Sequence, residues 1–423
     1  MRSRGTAVLL ALLMCAVMAG LTTSARADLV SNANYYANQT PYGNPASTQV
    51  KAPPAGYELL FLETVGRHGS RTLTSDTVED RALALWQRAS SQGKLTTLGT
   101  QFDNDLAAFR AVEQRIGYGN LSARGKDELR GFGRRTAVNY AGFFTRAAAK
   151  GDKVQMRVSG VYRTLQSARY MRETLGAKVP GLDFAARVVD ERLLIESGST
   201  RAGRAAIAAN RRQSSVLASS KHLLERIYRP SFVDGLSDPV AAALDVYALY
   251  ATAPGLKGDT TITFANYVPI DDARRLAMVK DTGNFYRYGP GVAGQVSSYT
   301  QAKPVLADFF ARLDQRIAGG RTAAVFRHGH GETTMPFGAL IKVPGSTKQA
   351  LKSAPYTWGN NPWRGFVAGR LAGNIEWAAY RKGGAVLVTM RHNEQPAKFA
   401  SACTPVEATS YFYRLGELKS CLG

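Results

Sequence analysis

The sequence predicts an α/β protein: a mainly parallel central sheet flanked by helices, with a mostly helical inserted cap. Three observations predict it. Short apolar runs rich in β-branched residues alternate with stretches whose Leu, Ala and Phe recur every three or four positions, the pattern of strands joined by helical crossovers. Between residues 200 and 300 the strand signals stop while helical periodicity continues. Two histidine-bearing segments each follow directly on a strand, at the carboxyl ends where ligands bind in such sheets.

The elements follow in order. Residues 28–56 are rich in Asn, Tyr, Pro, Gly and Ser and read as an irregular arm. Tyr57–Val65 is aromatic and β-branched and reads as a buried strand. Val78–Ala149 is helical in period. Lys153–Ser159 reads as a second strand, Thr164–Leu175 as a helix and Ala185–Leu193 as a further strand. Ser215–Tyr228 and Pro239–Tyr250 are helices of the cap. Later come a strand at Thr322–Phe326, a helix at Thr333–Ile341, and strands at Gly365–Leu371 and Gly384–Met390. This divides the chain into a core made of residues 28–195 and 301–423 and a helical insertion over 196–300.

The first 27 residues read as an export signal. Arg2 and Arg4 precede an apolar run, Ala7–Leu21, and Ala25-Arg26-Ala27 is a small-x-small cleavage site. The run is short for a bilayer, which takes about 20 residues; the alternative is a membrane anchor. No other stretch is apolar enough to span, so stable membrane insertion is not expected and the cleaved chain is expected to be secreted, extracellular or periplasmic. Of a net charge of +22, cleavage removes three arginines and no acid, leaving +19. Such a charge steers anions. It fits nucleic acid, surface polyanions and polyphosphorylated small molecules alike. After cleavage only Cys403 and Cys421 remain, which in an exported protein reads as one disulfide; two free thiols are the alternative.

Arg67-His68-Gly69-Ser70-Arg71 places an imidazole between two guanidiniums. Cations repel a metal ion there but bind an oxyanion, each guanidinium with two parallel hydrogen bonds. Neighbouring positive charge keeps His68 neutral, as a nucleophile requires. Arg327-His328-Gly329-His330-Gly331-Glu332-Thr333 follows another strand and opens a helix, whose first N–H groups favour anions. A carboxyl group beside a phosphate has its pKa raised and becomes a proton donor for a leaving oxygen. A metal site of His328, His330 and Glu332 is the competing reading, and solvated turn residues a third. Arg163, in Ser159-Gly160-Val161-Tyr162-Arg163-Thr164, is placed to complete a phosphate clamp.

These residues resemble the histidine acid phosphatases, branch 2 of the histidine phosphatase superfamily, and most of all the multiple inositol polyphosphate phosphatases and phytases. Arg67-His68-Gly69-Ser70-Arg71 matches the family's Arg-His-Gly-x-Arg. His330-Gly331-Glu332-Thr333 is similar to the His-Ala-Glu-Thr of the inositol polyphosphate group, with Gly331 for Ala. Gln39-Thr40-Pro41-Tyr42 and Asn393-Glu394-Gln395-Pro396 are weaker echoes. Thr72-Leu73 stand where the family often has Pro. The resemblance implies His68 as nucleophile and Glu332 as proton donor. It implies Arg67, Arg71, Arg163 and His330 as phosphate ligands, and no metal or other cofactor. The partner it implies is a polyanionic small molecule such as an inositol phosphate, not nucleic acid. Arg201, Arg204, Arg211, Arg212, Lys342 and Lys348 are further candidates for peripheral phosphates. The alternatives are a broad-specificity acid phosphatase, a non-catalytic polyanion-binding protein and a sugar-phosphate mutase, the last disfavoured by export and by the helical insertion.

Overall fold

The computed structural model describes residues 35–43, 45 and 48–423. Residues 1–27, read from the sequence as an export signal, lie outside them. A mixed sheet forms the centre. Its spine is β1 (Glu58–Arg67), β2 (Lys153–Val158) and β5 (Thr322–Gly329), with two-residue strands β3 (Asp183–Phe184) and β4 (Val188–Val189) at one edge. β2, β5 and β1 run parallel in that order. Beyond β1 the sheet continues antiparallel through β6 (Asn374–Lys382) and β7 (Ala385–His392). β1 is buried from Phe61 to Arg67, as a strand covered on both faces is, and its buried Glu63 is paired with Arg327.

Helices of eight residues or more are numbered here. α1 (Thr77–Ser91), α2 (Gly99–Ile116), α3 (Ala123–Asn139) and α4 (Ala141–Lys150) lie between β1 and β2, and α5 (Tyr162–Lys178) follows β2. α6 (Arg201–Arg211), α7 (Ser214–Glu225), α8 (Pro239–Thr252), α9 (Ile270–Tyr288) and α10 (Lys303–Ile317) precede β5, and α11 (Gly331–Leu340) follows it. α12 (Leu415–Leu422) ends the chain. One sheet face packs Leu62, Met156 and Phe326 against Phe132 and Phe144 of α3 and α4 and Met171 of α5. The other packs Val65, Val325 and Trp377 against Phe309 of α10 and Phe337 of α11. A separate helical core joins Phe102 and Phe109 of α2 to Leu223, Tyr247 and Leu276, so α1 and α2 pack with the helices of the 200–300 region. Among the described residues no helix is long and apolar enough to cross a membrane. Cys403 and Cys421 are bonded, with Cα atoms 5.3 Å apart.

Two expected strands are corrected. Gly365–Leu371 contains a four-residue helix, Gly365–Ala368, instead of a strand. Its apolar residues mimic strand composition, but glycines bracket it and the Gly369 carbonyl accepts a hydrogen bond from Arg67 rather than from a ladder. Ala185–Leu193 supplies only β4 and a 3-10 turn at Glu191–Leu193. The strand β6 was not expected: Asn374 and Glu376 alternate with Ile375 and Trp377, and no continuous apolar run marks it. Glu376 is nonetheless buried, since Arg391 stands opposite it on β7 and donates two hydrogen bonds of 2.7 and 3.1 Å. A buried charge is tolerated when paired this way.

Candidate active site

The two histidine segments meet because their strands are neighbours. In the β1–β5 register Gly66 faces His328 and Arg67 faces Gly329. The His68 N–H donates to the Gly329 carbonyl at 3.0 Å, and the Ser159 N–H to the His328 carbonyl at 3.3 Å. The carboxyl ends of β2, β5 and β1 thus bring Arg163, His330 and His68 to one place. The rings of His68 and His330 lie edge to face with centroids 5.5 Å apart.

His68 is buried, and its Nδ1 lies 2.9 Å from the Gly69 carbonyl oxygen. A carbonyl only accepts, so Nδ1 carries the proton and Nε2 keeps its lone pair. Burial, then Arg67, Arg71, Arg163 and His330, hold this imidazole well below the usual histidine range. The segment is seated on the start of α3. The Glu128 carboxylate accepts from the Ser70 N–H at 2.7 Å, the Ser70 hydroxyl at 2.9 Å and the Tyr42 N–H at 2.9 Å. Gly69 and Gly125 allow the approach: a Cβ at Gly125 would stand 1.9 Å from the Ser70 carbonyl oxygen.

Three guanidiniums surround His68. Arg67 is anchored by the carbonyls of Asn38 and Gly369, Arg71 by that of Thr72, and Arg163 by Nδ1 of His330 at 3.1 Å. Each still has a buried Nε–H without a partner. Burial and mutual repulsion lower Arg67 to about 10 and Arg71 to about 9. A buried cation cluster of this kind is stabilised by an anion. Glu332 sits in the first turn of α11. Burial pushes its carboxyl up, but Arg67, the helix N–H, His330 and Arg71 outweigh that and leave it below the usual range. His330 is lowered to about 4, by burial first and then by Arg163.

The other candidates have different places. Arg327 points into the interior, donating to Glu63 at 3.0 Å and to Asp308 at 2.7 Å. His328 is buried within β5 and lowered to about 4 by burial. Among the described residues no three His, Cys, Asp or Glu side chains are grouped to hold a metal ion, so His328, His330 and Glu332 do not converge as ligands. Arg204 donates to its own helix start at Ser199, and Arg211 lies 3.6 Å from Asp238. Arg201 and Arg212 are exposed. Lys342 lies over the Tyr299 ring, and Lys348 donates to the Asn360 carbonyl.

The echo motifs gather behind the Arg67–Arg71 segment. Tyr42 packs between Arg135 and Arg370, and Arg135 donates in a fork to Glu394. Sequence reasoning missed Glu128. The signal was present as Gly125, Gly131 and Gly133 around two adjacent acids, Asp127 and Glu128, in a basic helix. Such glycines permit close backbone approach, here of Gly133 to the Met171 carbonyl.

The family model of the histidine phosphatase superfamily (branch 2) matches residues 58–368. The multiple inositol polyphosphate phosphatase of Bifidobacterium longum, solved in complex with inositol hexasulfate, superposes with a TM-score of 0.86 at 28% identity, over 92% of this chain and 97% of that one. The phytase of D. castellii (TM-score 0.63, 12% identity, 92% of this chain and 84% of that one) shares the fold. So does the phytase of Hafnia alvei in complex with tartrate (0.53, 13%, 88% and 97%). No curated protein sequence matches the chain. With more than half its length in the family model and an arginine-ringed imidazole at the strand ends, the chain belongs to branch 2 of the histidine phosphatase superfamily and is a phosphatase.

Proposed function

We propose that the chain is an exported phosphomonoesterase that hydrolyses phytate-like inositol polyphosphates through a phosphohistidine on His68. The observation that carries this reading is the unprotonated Nε2 of a buried His68 among three guanidiniums, each with an unpartnered buried Nε–H.

In the first step the Nε2 lone pair attacks phosphorus and the bond to the inositol oxygen breaks. Glu332 gives that oxygen a proton. Arg67, Arg71 and Arg163 stabilise the charge on the equatorial oxygens, with His330 as a further ligand. In the second step water attacks the phosphohistidine, gives a proton back to Glu332 and releases inorganic phosphate. Glu332 starts as a carboxylate held down by arginines. An incoming phosphate dianion offsets that field and raises the carboxyl's proton affinity. Its proton therefore arrives with the substrate. The polyphosphorylated substrate is supported by the B. longum enzyme's complex with inositol hexasulfate and by the basic charge, +19 if a leader is cleaved near Ala27. Residues 196–300 serve in this reading as the cap over the site.

The test is phosphate release from phytate and from an aryl phosphate by wild type, His68→Ala and Glu332→Gln, with and without chelator. The expected result is preference for phytate and no effect of chelation. His68→Ala should be inactive, and Glu332→Gln impaired far more on phytate than on an activated aryl ester, whose leaving group needs no proton. Equal or better turnover of the aryl phosphate would make it a broad-specificity acid phosphatase. Loss of activity on chelation would remove the metal-free mechanism.

A further inference from the structure

His330 has both ring nitrogens engaged, and the protons of its network are fixed by elimination. The Arg163 guanidinium has no lone pair, so its Nη2, 3.1 Å from His330 Nδ1, donates and Nδ1 accepts. The neutral ring's proton therefore sits on Nε2, which lies 2.8 Å from the Ser159 hydroxyl. Ser159 must accept it. Thr164 donates its own hydroxyl proton to the Val161 carbonyl at 2.7 Å. That leaves the Thr164 oxygen, 3.2 Å from Ser159, to accept the Ser159 proton. The Val161 N–H also points at the Ser159 oxygen at 3.4 Å. Ser159, Thr164 and His330 are all buried, so water does not compete for these protons. The chain has one direction, from Arg163 through His330 and Ser159 into the first turn of α5.

We infer that Ser159 is a positioning residue for the phosphoryl transfer. Through the Nε2–H···Oγ bond it fixes the tautomer and direction of the His330 ring, and through Nδ1 the guanidinium of Arg163. The inference rests on the reading of His330 and Arg163 as phosphate ligands. Without the Ser159 hydroxyl the Nε2–H is left without its acceptor in a buried site, and the ring is free to turn or to change tautomer. Arg163 then loses its acceptor.

The experiment compares wild type, Ser159→Ala, Ser159→Thr and Thr164→Val. In Ser159→Ala, kcat/KM on phytate should fall about tenfold, the loss expected for one buried hydrogen bond, and the inhibition constant of inorganic phosphate should weaken by a similar factor. Ser159→Thr, which keeps the hydroxyl, should recover most of both. Nitrogen chemical shifts of the His330 ring supply a readout that needs no turnover. The wild type should show a proton on Nε2 alone, and Ser159→Ala a mixture of tautomers. Should Ser159→Ala fail to fold, Thr164→Val removes the acceptor of the Ser159 proton and should produce the same tautomer mixing more weakly. Unchanged ring shifts in the folded variants, or kcat/KM for Ser159→Ala within twofold of wild type, overturn the inference. An active His68→Ala would instead overturn the phosphohistidine reading, while the ring shifts would still decide the role of Ser159.

Discussion

Gly125→Ala is the substitution whose effect reverses the usual rule. In a helix, alanine in place of glycine ordinarily stabilises by up to about 1 kcal/mol. Gly125 lies in the first turn of α3, where its N–H donates to the Ser122 cap at 3.0 Å, and its backbone carries no positive φ. Local propensity therefore favours alanine. The tertiary contact opposes it. An added Cβ would sit 1.9 Å from the Ser70 carbonyl oxygen, against a limit of 3.0 Å that real Cβ contacts respect. The backbone at Ser70 must retreat from α3 by about 1.1 Å, the difference between those distances. Ser70 lies between His68 and Arg71, so the retreat displaces the His68 imidazole relative to the guanidiniums around it. It also stretches the Glu128 bonds to Ser70. A misplacement of about 1 Å costs on the order of 100-fold in rate, and overpacking costs about 1–3 kcal/mol of stability. Steady-state phosphate release and thermal melting measure both. The expected outcome is kcat lowered about 100-fold with a lowered Tm. A variant with wild-type kcat and a raised Tm would show that the loop is not held against α3 as described.

The remaining expectations concern pH, stability and the disulfide. Burial and then Arg67 and Arg71 depress His68, so its imidazole stays neutral as pH falls through 6.5. The acid limb of kcat/KM should lie well below that value and move upward in Arg71→Gln, which removes one repelling cation; a wild-type midpoint at 6.5 would refute the electrostatic assignment. Asp281 is raised from 3.8 to about 7 by burial and accepts from Gly365 N–H and Trp358 Nε1–H on one oxygen. Folded Asp281 keeps its proton where the unfolded chain has lost it, so stability falls as pH climbs from 3.8 to about 7. Asp281→Asn should flatten that part of the stability–pH curve in urea unfolding at several pH values. Replacing Cys403 and Cys421 by Ser, which opens a loop with a separation of 18 residues, should cost about 3 kcal/mol in the chain-entropy account, read by denaturant unfolding without reductant.

Read from sequence alone, the strands β1, β5 and β7 were legible because each carries a compact apolar cluster, β2 because Val154, Met156 and Val158 alternate with polar residues, and the helices because their period persists over many turns. Such signals are local, since burial on one face or both dictates side-chain periodicity directly. The residues Arg67, His68, Arg71, Arg163, His330 and Glu332 were legible because phosphate chemistry calls for guanidinium, imidazole and carboxyl groups in short motifs. β6 was not, because a pair made across the sheet, Glu376 with Arg391, hides the strand behind polar letters. The helical turn at Gly365–Ala368 misled for the converse reason: its composition favours a strand, but the carbonyl of Gly369 is taken by Arg67.

What the sequence by itself determined is the fold class and the candidate residues from which the proposed chemistry is built. Only the tertiary structure decided which nitrogen of each histidine carries the proton, which acid holds the Arg67–Arg71 segment, and which of two Arg-His-Gly triplets faces the site. Proton position depends on what lies within hydrogen-bond reach. For His68, Ser70 and His330 the deciding partners are Gly69, Glu128 and Ser159 with Arg163. Apart from Gly69, each comes from a distant part of the chain, and no local pattern of residues encodes a distance across the sheet.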